Sequence, residues 1–137
     1  MTHPQFISLK IITDSRRSLM VAEGESEIPF AIARVYHLFD IPAGSRCGFH
    51  AHRELRQVAV ALRGQCDILL DDGQTREVCR LDTPSRGLLM DKMMWRELSD
   101  FSSDCLLAVF ASASYDESDY IRDYEEFLSI KRRQDNE

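Results

Sequence analysis

Residues 44–64 read GSRCGFHAHRELRQVAVALRG, and this stretch decides the fold. Its spacing is G-x5-H-x-H-x4-Q-x6-G, in which the histidines are His50 and His52 and the glutamine is Gln57. Residues i and i+2 of a β-strand point to the same face, so the two imidazoles project together, and Arg46 and Gly48 share that face if the strand is unbroken. Because the ordinary pKa of histidine is about 6.5, such a pair can act as base and acid near neutral pH.

The spacing resembles the histidine motif of the cupins, β-barrel proteins in which a metal-binding Glu usually stands at the position of Gln57. Cupin metal sites usually add a third His from a later strand, but none follows His52 here. Transition metals prefer three or four imidazole and carboxylate donors. The sequence therefore predicts a barrel whose His pair transfers protons, with no metal and no cofactor. The alternative, a metal-dependent cupin oxygenase, needs a further ligand, for which His37 or Glu54 is the candidate.

Composition restricts the class of protein. The 137 residues fit a single domain with 44% hydrophobic and 29% charged residues, typical of a globular chain. Seventeen basic and 23 acidic residues give a formal charge of −6, which disfavours nucleic acid as a partner. The four cysteines show no C-x-x-C spacing, no N-terminal apolar run predicts secretion, and no stretch is long enough to cross a membrane. We therefore expect reduced thiols and a cytoplasmic protein.

The rest of the chain predicts many short strands and one final helix. An opening hairpin is expected over residues 6–21, and residues 32–39 alternate with period two. The Asp-Gly pair within residues 71–74 predicts a hairpin turn. Residues 116–133 have an acidic start, an apolar stripe and a basic end, which predicts a C-terminal amphipathic helix. The predicted fold is an all-β, single-domain cupin (jelly-roll β-barrel) with a C-terminal helix.

Further pieces of sequence identify the chain as resembling one cupin family. They are Ile28-Pro29-Phe30, Arg34-Val35-Tyr36, Gly48-Phe49-His50-Ala51-His52 with Gln57, Asp71-Asp72-Gly73, Trp95 with Phe101-Ser102, Ala111-Ser112, and Tyr115 through Arg122. With these the chain resembles the dTDP-4-keto-6-deoxyglucose 3,4-ketoisomerases over nearly its whole length. The resemblance implies a dTDP-linked 4-keto-6-deoxyhexose as substrate, a metal-free reaction, and a homodimer whose subunits exchange N-terminal strands.

The implied reaction needs only a base, an acid and stabilisation of an enediolate. The 4-keto group acidifies the C3 proton, so that removal of this proton gives an enediol and return of a proton at C4 leaves the ketone at C3. By analogy His52 is the expected base at C3, and His50 assists transfer among O3, O4 and C4, although the sequence leaves the reverse assignment open. A 3-keto product fits a later aminotransferase that makes a 3-amino-3,6-dideoxyhexose for O-antigen or another lipopolysaccharide.

The remaining candidates are substrate-binding groups. Arg34 and Arg46 are candidates for the diphosphate, which suits a guanidinium fork, and the alternative for each is a solvated surface charge. Tyr36 is a candidate for contact with the sugar, and Gln57, at the metal-ligand position, for a hydrogen bond to it. Trp95 is either a wall of the pocket or a core residue. Residues 116–122 are interpreted as helix capping and packing.

Two features depart from the family pattern. Relatives tend to have Arg-Gly before the His pair, whereas here Arg46 precedes Cys47-Gly48, and on a strand a displacement of one residue reverses the face. Arg16 and Arg96 are candidate determinants of the C4 configuration. Arg96 resembles the enzymes with a gluco product and Arg16 those with a galacto product, so the configuration stays open. A dTDP-sugar 3,5-epimerase and a non-catalytic sugar-nucleotide-binding cupin are the alternative functions.

Overall fold

A computed structural model describes residues 4–136; residues 1–3 and 137 of the predicted single domain lie outside the described part. It contains twelve strands, one 3-10 turn (Glu117–Asp119) and one helix, α1 (Tyr124–Asp135). The strands are β1 (Phe6–Ser8), β2 (Lys10–Thr13), β3 (Ser18–Val21), β4 (Arg34–Leu38), β5 (Cys47–His52), β6 (Gln57–Arg63), β7 (Cys66–Asp71), β8 (Arg76–Leu81), β9 (Arg86–Met90), β10 (Trp95–Ser99), β11 (Leu106–Ala111) and β12 (Tyr120–Ile121).

Ten strands form two antiparallel five-stranded sheets. Sheet I has the order β1-β9-β6-β11-β4, and sheet II has the order β12-β5-β10-β7-β8. The sheets pack face to face on one apolar core to which both contribute, with Ala59 and Leu107 from sheet I and Ile68, Leu81 and Leu98 from sheet II. The predicted all-β class with a C-terminal helix is confirmed, and the two sheets have free edges instead of closing into a continuous barrel. Within the described residues, no helix is long and apolar enough to span a membrane.

The predicted opening hairpin is present as β2 and β3, which pair only with each other. Asp14 shapes its turn by accepting hydrogen bonds from the backbone N–H of Arg16 and Arg17 at 2.8 and 3.2 Å. β1, just before the hairpin, pairs with β9 of the same chain. The exchange of N-terminal strands between subunits stays a prediction.

The C-terminal segment differs from the single helix predicted for residues 116–133. The helix begins only at Tyr124, where the Asp123 side chain accepts from the backbone N–H of Glu126, and it ends at Asp135. Before it, Asp116 caps the 3-10 turn, and Tyr120 pairs with His52 in sheet II. The early part of the prediction was wrong because pairing with β5 overrides the local helical pattern.

Strand β5 contains an irregularity just before the His pair. Gly48 and Phe49 have left-handed φ values of 88° and 56°, and the register of β10 against β5 shifts between Arg96 and Glu97. A Cβ on Gly48 would lie 3.0 Å from the Arg96 carbonyl oxygen, so this close approach needs glycine. The expectation that Arg46 shares the face of the histidines assumed an unbroken strand and is not met.

Candidate active site

The histidine pair lies at the end of β5, as the spacing predicts. The ring centroids of His50 and His52 are 4.9 Å apart with the planes at 83°. The ring of Tyr120 packs against both, with centroid distances of 4.9 Å to His50 and 4.3 Å to His52. Tyr120 reaches this place because β12 pairs with β5. The three rings form one packed cluster.

Hydrogen bonds fix which nitrogen of each imidazole carries the proton. His50 Nδ1 lies 2.9 Å from the Gly48 carbonyl oxygen, and His52 Nδ1 lies 3.1 Å from Asp119 Oδ2. Carbonyl and carboxylate oxygens only accept, so both Nδ1 atoms donate and a neutral ring has its lone pair on Nε2. His52 Nε2 is buried and has no hydrogen-bond partner in residues 4–136. An unpartnered lone pair of this kind is what a proton-accepting group requires.

Both rings are neutral near pH 7. Burial, followed by the positive charge of Arg96, lowers the pKa of His50 to about 4. The same two causes lower the pKa of His52 to about 2, and its side chain is only 1% exposed. The Asp119 carboxylate works in the opposite direction, but burial dominates. The pair is thus held as two free bases in the resting protein.

Arg96, a candidate for the C4 configuration, is a buried cation beside the pair. Its Nη1 donates to Gln57 Oε1 at 2.7 Å, and its Nη2 and Nε donate to the Met94 carbonyl at 3.0 and 3.2 Å. Burial lowers the pKa of Arg96 to about 10, so it stays charged at neutral pH. These acceptors are neutral, and the carboxylates of Asp119 and Asp91 act on its positive charge from beyond hydrogen-bond distance. The site consequently favours negative charge that develops close by.

Gln57 connects this cation to Tyr36. Because Gln57 Oε1 accepts from Arg96, the amide presents Nε2, which donates to the Tyr36 hydroxyl oxygen at 2.9 Å. The Tyr36 oxygen is therefore an acceptor in this contact, and its own proton is free to donate elsewhere. Desolvation raises the pKa of Tyr36, which keeps the hydroxyl protonated. These two hydrogen bonds form a relay from Arg96 through Gln57 to Tyr36, and the neutral Tyr36 hydroxyl remains a hydrogen-bond donor.

Two cavities flank the histidine pair. The inner cavity, about 290 Å³, is lined by His50, Tyr36, Gln57 and Arg96 together with the apolar side chains Leu38, Met90, Leu98 and Val109. The outer cavity, about 190 Å³, is lined by His52, Arg34, Tyr120 and three carboxylates, including Asp119. Arg34 stacks on Tyr36 at 5.2 Å and on Tyr115 at 5.9 Å, and its buried Nε has no partner among the described residues. Arg34 thus lines the same cavity as His52 and stacks on Tyr36, which lines the other cavity with His50.

Three other predicted residues line neither cavity. Trp95 is 3% exposed and packs with the helix residue Phe127, as the core alternative expected. Arg46 is largely exposed, 3.6 Å from Glu97 and over the ring of Phe49. Arg16 lies at the tip of the hairpin, where its side chain is 74% exposed and binds Asp14.

The candidate third metal ligands are also apart, since His37 lines the inner cavity and Glu54 the outer one. Within residues 4–136, no three His, Cys, Asp or Glu side chains are grouped as a metal would need.

Asp119 and Tyr120 are site residues that the sequence reasoning missed. Residues 116–122 were interpreted as helix capping, although the same segment carried part of the family resemblance. Asp119 follows His52 by 67 positions, so no local spacing joins the two residues. The available signal was an aspartate and an aromatic residue within a recognisable segment, and the error was to assign that segment to a helix.

Comparison with known proteins shows the family. The family described as "FdtA: WxcM-like, C-terminal" matches residues 2–132. The chain belongs to the FdtA family. A curated relative from Aneurinibacillus thermoaerophilus, TDP-4-oxo-6-deoxy-alpha-D-glucose-3,4-oxoisomerase, is 49% identical over 121 residues, which cover 88% of this chain and 87% of the relative. The predicted enzyme class, a sugar-nucleotide 3,4-ketoisomerase, is confirmed.

Solved structures agree with this FdtA-family assignment. The WlaRB TDP-quinovose 3,4-ketoisomerase from Campylobacter jejuni is 43% identical, with a TM-score of 0.89, over 94% of this chain and 99% of that chain. QdtA, a sugar 3,4-ketoisomerase from Thermoanaerobacterium thermosaccharolyticum in complex with TDP, is 36% identical, with a TM-score of 0.94, over 98% of each chain. The cupin-type fold predicted from the histidine motif is confirmed by these ketoisomerases.

Proposed function

We propose that this ketoisomerase converts dTDP-4-keto-6-deoxy-D-glucose into a dTDP-3-keto-6-deoxyhexose without a metal or other cofactor. One observation carries the proposal: two neutral imidazoles lie 4.9 Å apart between ring centroids beside the buried cation Arg96, and both donate through Nδ1. The Nε2 lone pair of His52 has no partner within residues 4–136. A 3,4-keto transposition needs proton movement between adjacent carbon atoms and charge stabilisation, and this arrangement supplies both. The substrate follows from the 49% identical relative.

The proton balance of the reaction closes without a redox partner. A base takes the proton from C3, and the electron pair of the C3–H bond forms the C3=C4 double bond of an enediolate whose charge lies on O4. The O3 hydroxyl proton then leaves, a proton is delivered to C4, and O4 is protonated. The product has its ketone at C3 and its hydroxyl at C4, so the proton taken from C3 balances the proton gained by C4.

We assign His52 as the base at C3 and His50 to proton transfer among O3, O4 and C4. The Nε2 lone pair of His52 is buried and unpartnered, whereas His50 faces the inner cavity beside the Tyr36–Gln57 relay. The Arg96 guanidinium and the free Tyr36 proton stabilise the enediolate oxygen. Negative charge on this oxygen offsets the Arg96 field, so the imidazole becomes a stronger base as the reaction proceeds.

The binding assignments follow the cavities. We place the hexose across the two cavities. Its C6 methyl group lies on the apolar wall of the inner cavity near Tyr36 and Gln57, and its C3 faces His52, which lines the outer cavity. Arg34 lines the outer cavity, and its buried Nε has no partner within residues 4–136, so Arg34 is the candidate for the diphosphate. Arg46 retains a weaker case for the same role because Glu97 already pairs with it.

A homodimer with exchanged N-terminal strands is part of the proposal. The β2–β3 hairpin pairs with neither sheet of its own chain, and Ile11 and Ile12 on it are 37% and 43% exposed. Docking on a second subunit would bury these side chains and bring Arg16, at the hairpin tip, toward a partner's site. The oligomeric state is measured directly by sedimentation equilibrium.

The metabolic setting follows from the product. A 3-keto sugar is the substrate that an aminotransferase needs to make a 3-amino-3,6-dideoxyhexose, a sugar of surface polysaccharides such as O-antigen. The enzyme would then act in the cytoplasm. The C4 configuration, gluco or galacto, is decided by which face of the enediol receives the proton.

The test is incubation of chelator-treated protein with dTDP-4-keto-6-deoxyglucose in D2O, followed by NMR. A 3-keto product with deuterium at C4 supports the proposal, and its C4 configuration identifies the product. Deuterium at C5 would instead indicate 3,5-epimerase chemistry. Unchanged substrate that still binds would indicate a sugar-nucleotide-binding protein, and activity restored only by added metal would refute the metal-free reaction.

A further inference from the structure

Asp119 is tied to the chain that leaves β5. Its Oδ1 accepts from the Glu54 backbone N–H at 2.9 Å, and its Oδ2 accepts from the Leu55 backbone N–H at 3.1 Å. Its own carbonyl accepts from the Arg53 backbone N–H at 3.0 Å. Three consecutive peptide groups after His52 therefore hold Asp119 in one position and orientation.

The same carboxylate makes one contact that these backbone bonds do not require. The two carboxylate oxygens already accept from the Glu54 and Leu55 backbone N–H groups, and Oδ2 accepts in addition from His52 Nδ1 at 3.1 Å. Without Asp119, the hydrogen bond that places the proton on Nδ1 of the buried imidazole would be missing. With it, the proton is placed on Nδ1 and the lone pair on the unpartnered Nε2.

We propose that Asp119 is a positioning residue that sets the tautomer of His52 and stabilises its protonated form. This inference rests on the proposed role of His52 as a base. When His52 Nε2 takes the C3 proton, a cation forms in a buried place that Arg96 already makes unfavourable for positive charge. The Asp119 carboxylate is the anion in contact with that cation. It therefore lowers the barrier to proton transfer and stabilises the imidazolium–carboxylate ion pair that forms.

The decisive variant is Asp119→Asn, which preserves the side-chain shape. In one orientation the amide nitrogen faces the Leu55 N–H and His52 Nδ1, and in the other it faces the Glu54 N–H, so either orientation loses a backbone hydrogen bond. Both orientations also remove the negative charge that stabilises protonated His52. In Ser-His-Asp enzymes the same exchange costs about 10⁴ in kcat. Here we expect kcat to fall at least ~100-fold, with KM within about threefold.

Two readouts separate positioning from simple structural support. The first is the 15N chemical shift of His52, which reports the protonated nitrogen and should place the proton on Nδ1 in the native chain. The second is a matched control, Asp123→Asn, because the Asp123 side chain also accepts from a backbone N–H, that of Glu126, but contacts neither histidine. The control should retain native kcat and the native tautomer.

The native tautomer is measured on the resting enzyme without substrate, so it tests this inference independently of the ketoisomerase reaction. A native His52 with its proton on Nε2 would overturn the inference even if the enzyme is fully active. So would an Asp119→Asn variant with unchanged kcat. If Asp119→Asn does not fold, the native 15N spectrum still decides the tautomer, and Asp119→Glu tests whether a displaced carboxylate restores part of kcat.

Discussion

His50 and His52 meet edge to face at 4.9 Å, and each has its Nδ1 engaged by an oxygen acceptor. The two acceptors come from different parts of the chain, since Gly48 lies in the same strand as the histidines and Asp119 lies in the 3-10 turn. Both rings are therefore oriented by contacts independent of each other. A proton on His50 also opposes a proton on His52, so the pair carries at most one proton through most of its titration.

The pH dependence of activity should reflect this pair. Because the pKa of His50 is lowered to about 4 and that of His52 to about 2, both bases are free at pH 7. We expect kcat/KM to stay level as the pH falls through 6.5 and to decrease only toward pH 4. The measurement is an initial-rate profile. An acidic limb near pH 6.5 would show that the rings titrate as ordinary exposed histidines.

Stability should depend on pH through the same groups. An unfolded chain binds protons on its histidines below about pH 6.5, whereas the folded chain leaves His50 and His52 neutral until much lower pH. The unfolded state then binds more protons, so the free energy of unfolding should decrease as pH falls from 6.5 toward 4. Urea titrations at several pH values measure this slope. In His50→Asn and His52→Asn the slope should become shallower, and an unchanged slope in both would contradict the lowered pKa values.

Variants of the two histidines should lose different steps of the reaction. His52→Asn should reduce turnover by at least ~10³-fold and abolish exchange of the C3 proton with D2O, because the assigned base is gone. His50→Asn should lose product formation while keeping measurable C3 exchange. NMR in D2O follows both signals in one sample. The reverse pattern would exchange the two roles, and full activity of His52→Asn would remove the assigned base altogether.

The fold was predictable where the pattern is local. The strand within residues 32–39 and the Asp-Gly turn before β8 follow from period-two alternation and turn residues, and both are observed, as β4 and the β7–β8 hairpin. The 3-10 turn and β12, residues 117–121, were not predictable in this way, because the pairing of Tyr120 and Ile121 with β5 is a contact between distant segments. Local periodicity gives the amphipathic stripe of α1 but cannot show where tertiary pairing replaces the helix.

The sequence named six side chains that line the two cavities. The histidine motif supplied His50, His52 and Gln57, and the family resemblance added Arg34, Tyr36 and Arg96. The partner of His52 could not be predicted because the link depends on the position of a turn 67 residues later. Arg46 was placed wrongly for a different reason. Its expected position on the histidine face followed from strand alternation, which the left-handed residues Gly48 and Phe49 interrupt.

Gln57 should contribute to both stability and binding. Replacing it by Leu removes the acceptor 2.7 Å from the buried Arg96 and the donor 2.9 Å from Tyr36. A buried polar group left unpaired costs about 1–3 kcal/mol, and more when it is charged. We expect Gln57→Leu to lower the free energy of unfolding by at least ~1 kcal/mol and to raise KM about tenfold.

The control for this variant is Gln74→Leu, since Gln74 is exposed in the turn between β7 and β8. Urea unfolding and substrate titration of both variants make the comparison. Equal stability and equal KM for the two variants would contradict a binding and structural role for Gln57.

Phe127 should anchor the helix to the back of sheet II. It is fully buried, 5.8 Å from Trp95 and 6.0 Å from Tyr124 between ring centroids, in a cluster that includes Ala51 of the histidine strand. Truncation of a buried Phe to Ala costs about 3–5 kcal/mol, so Phe127→Ala should lower the urea midpoint strongly. The exposed Ser129→Ala on the same helix is the control, and its free energy of unfolding should stay within about 0.5 kcal/mol of the native value.

Because Phe127 does not line either cavity, the kcat of Phe127→Ala measured well below the unfolding transition should stay within about threefold of the native value. A loss of kcat in fully folded Phe127→Ala would show instead that helix packing sets the position of the histidines.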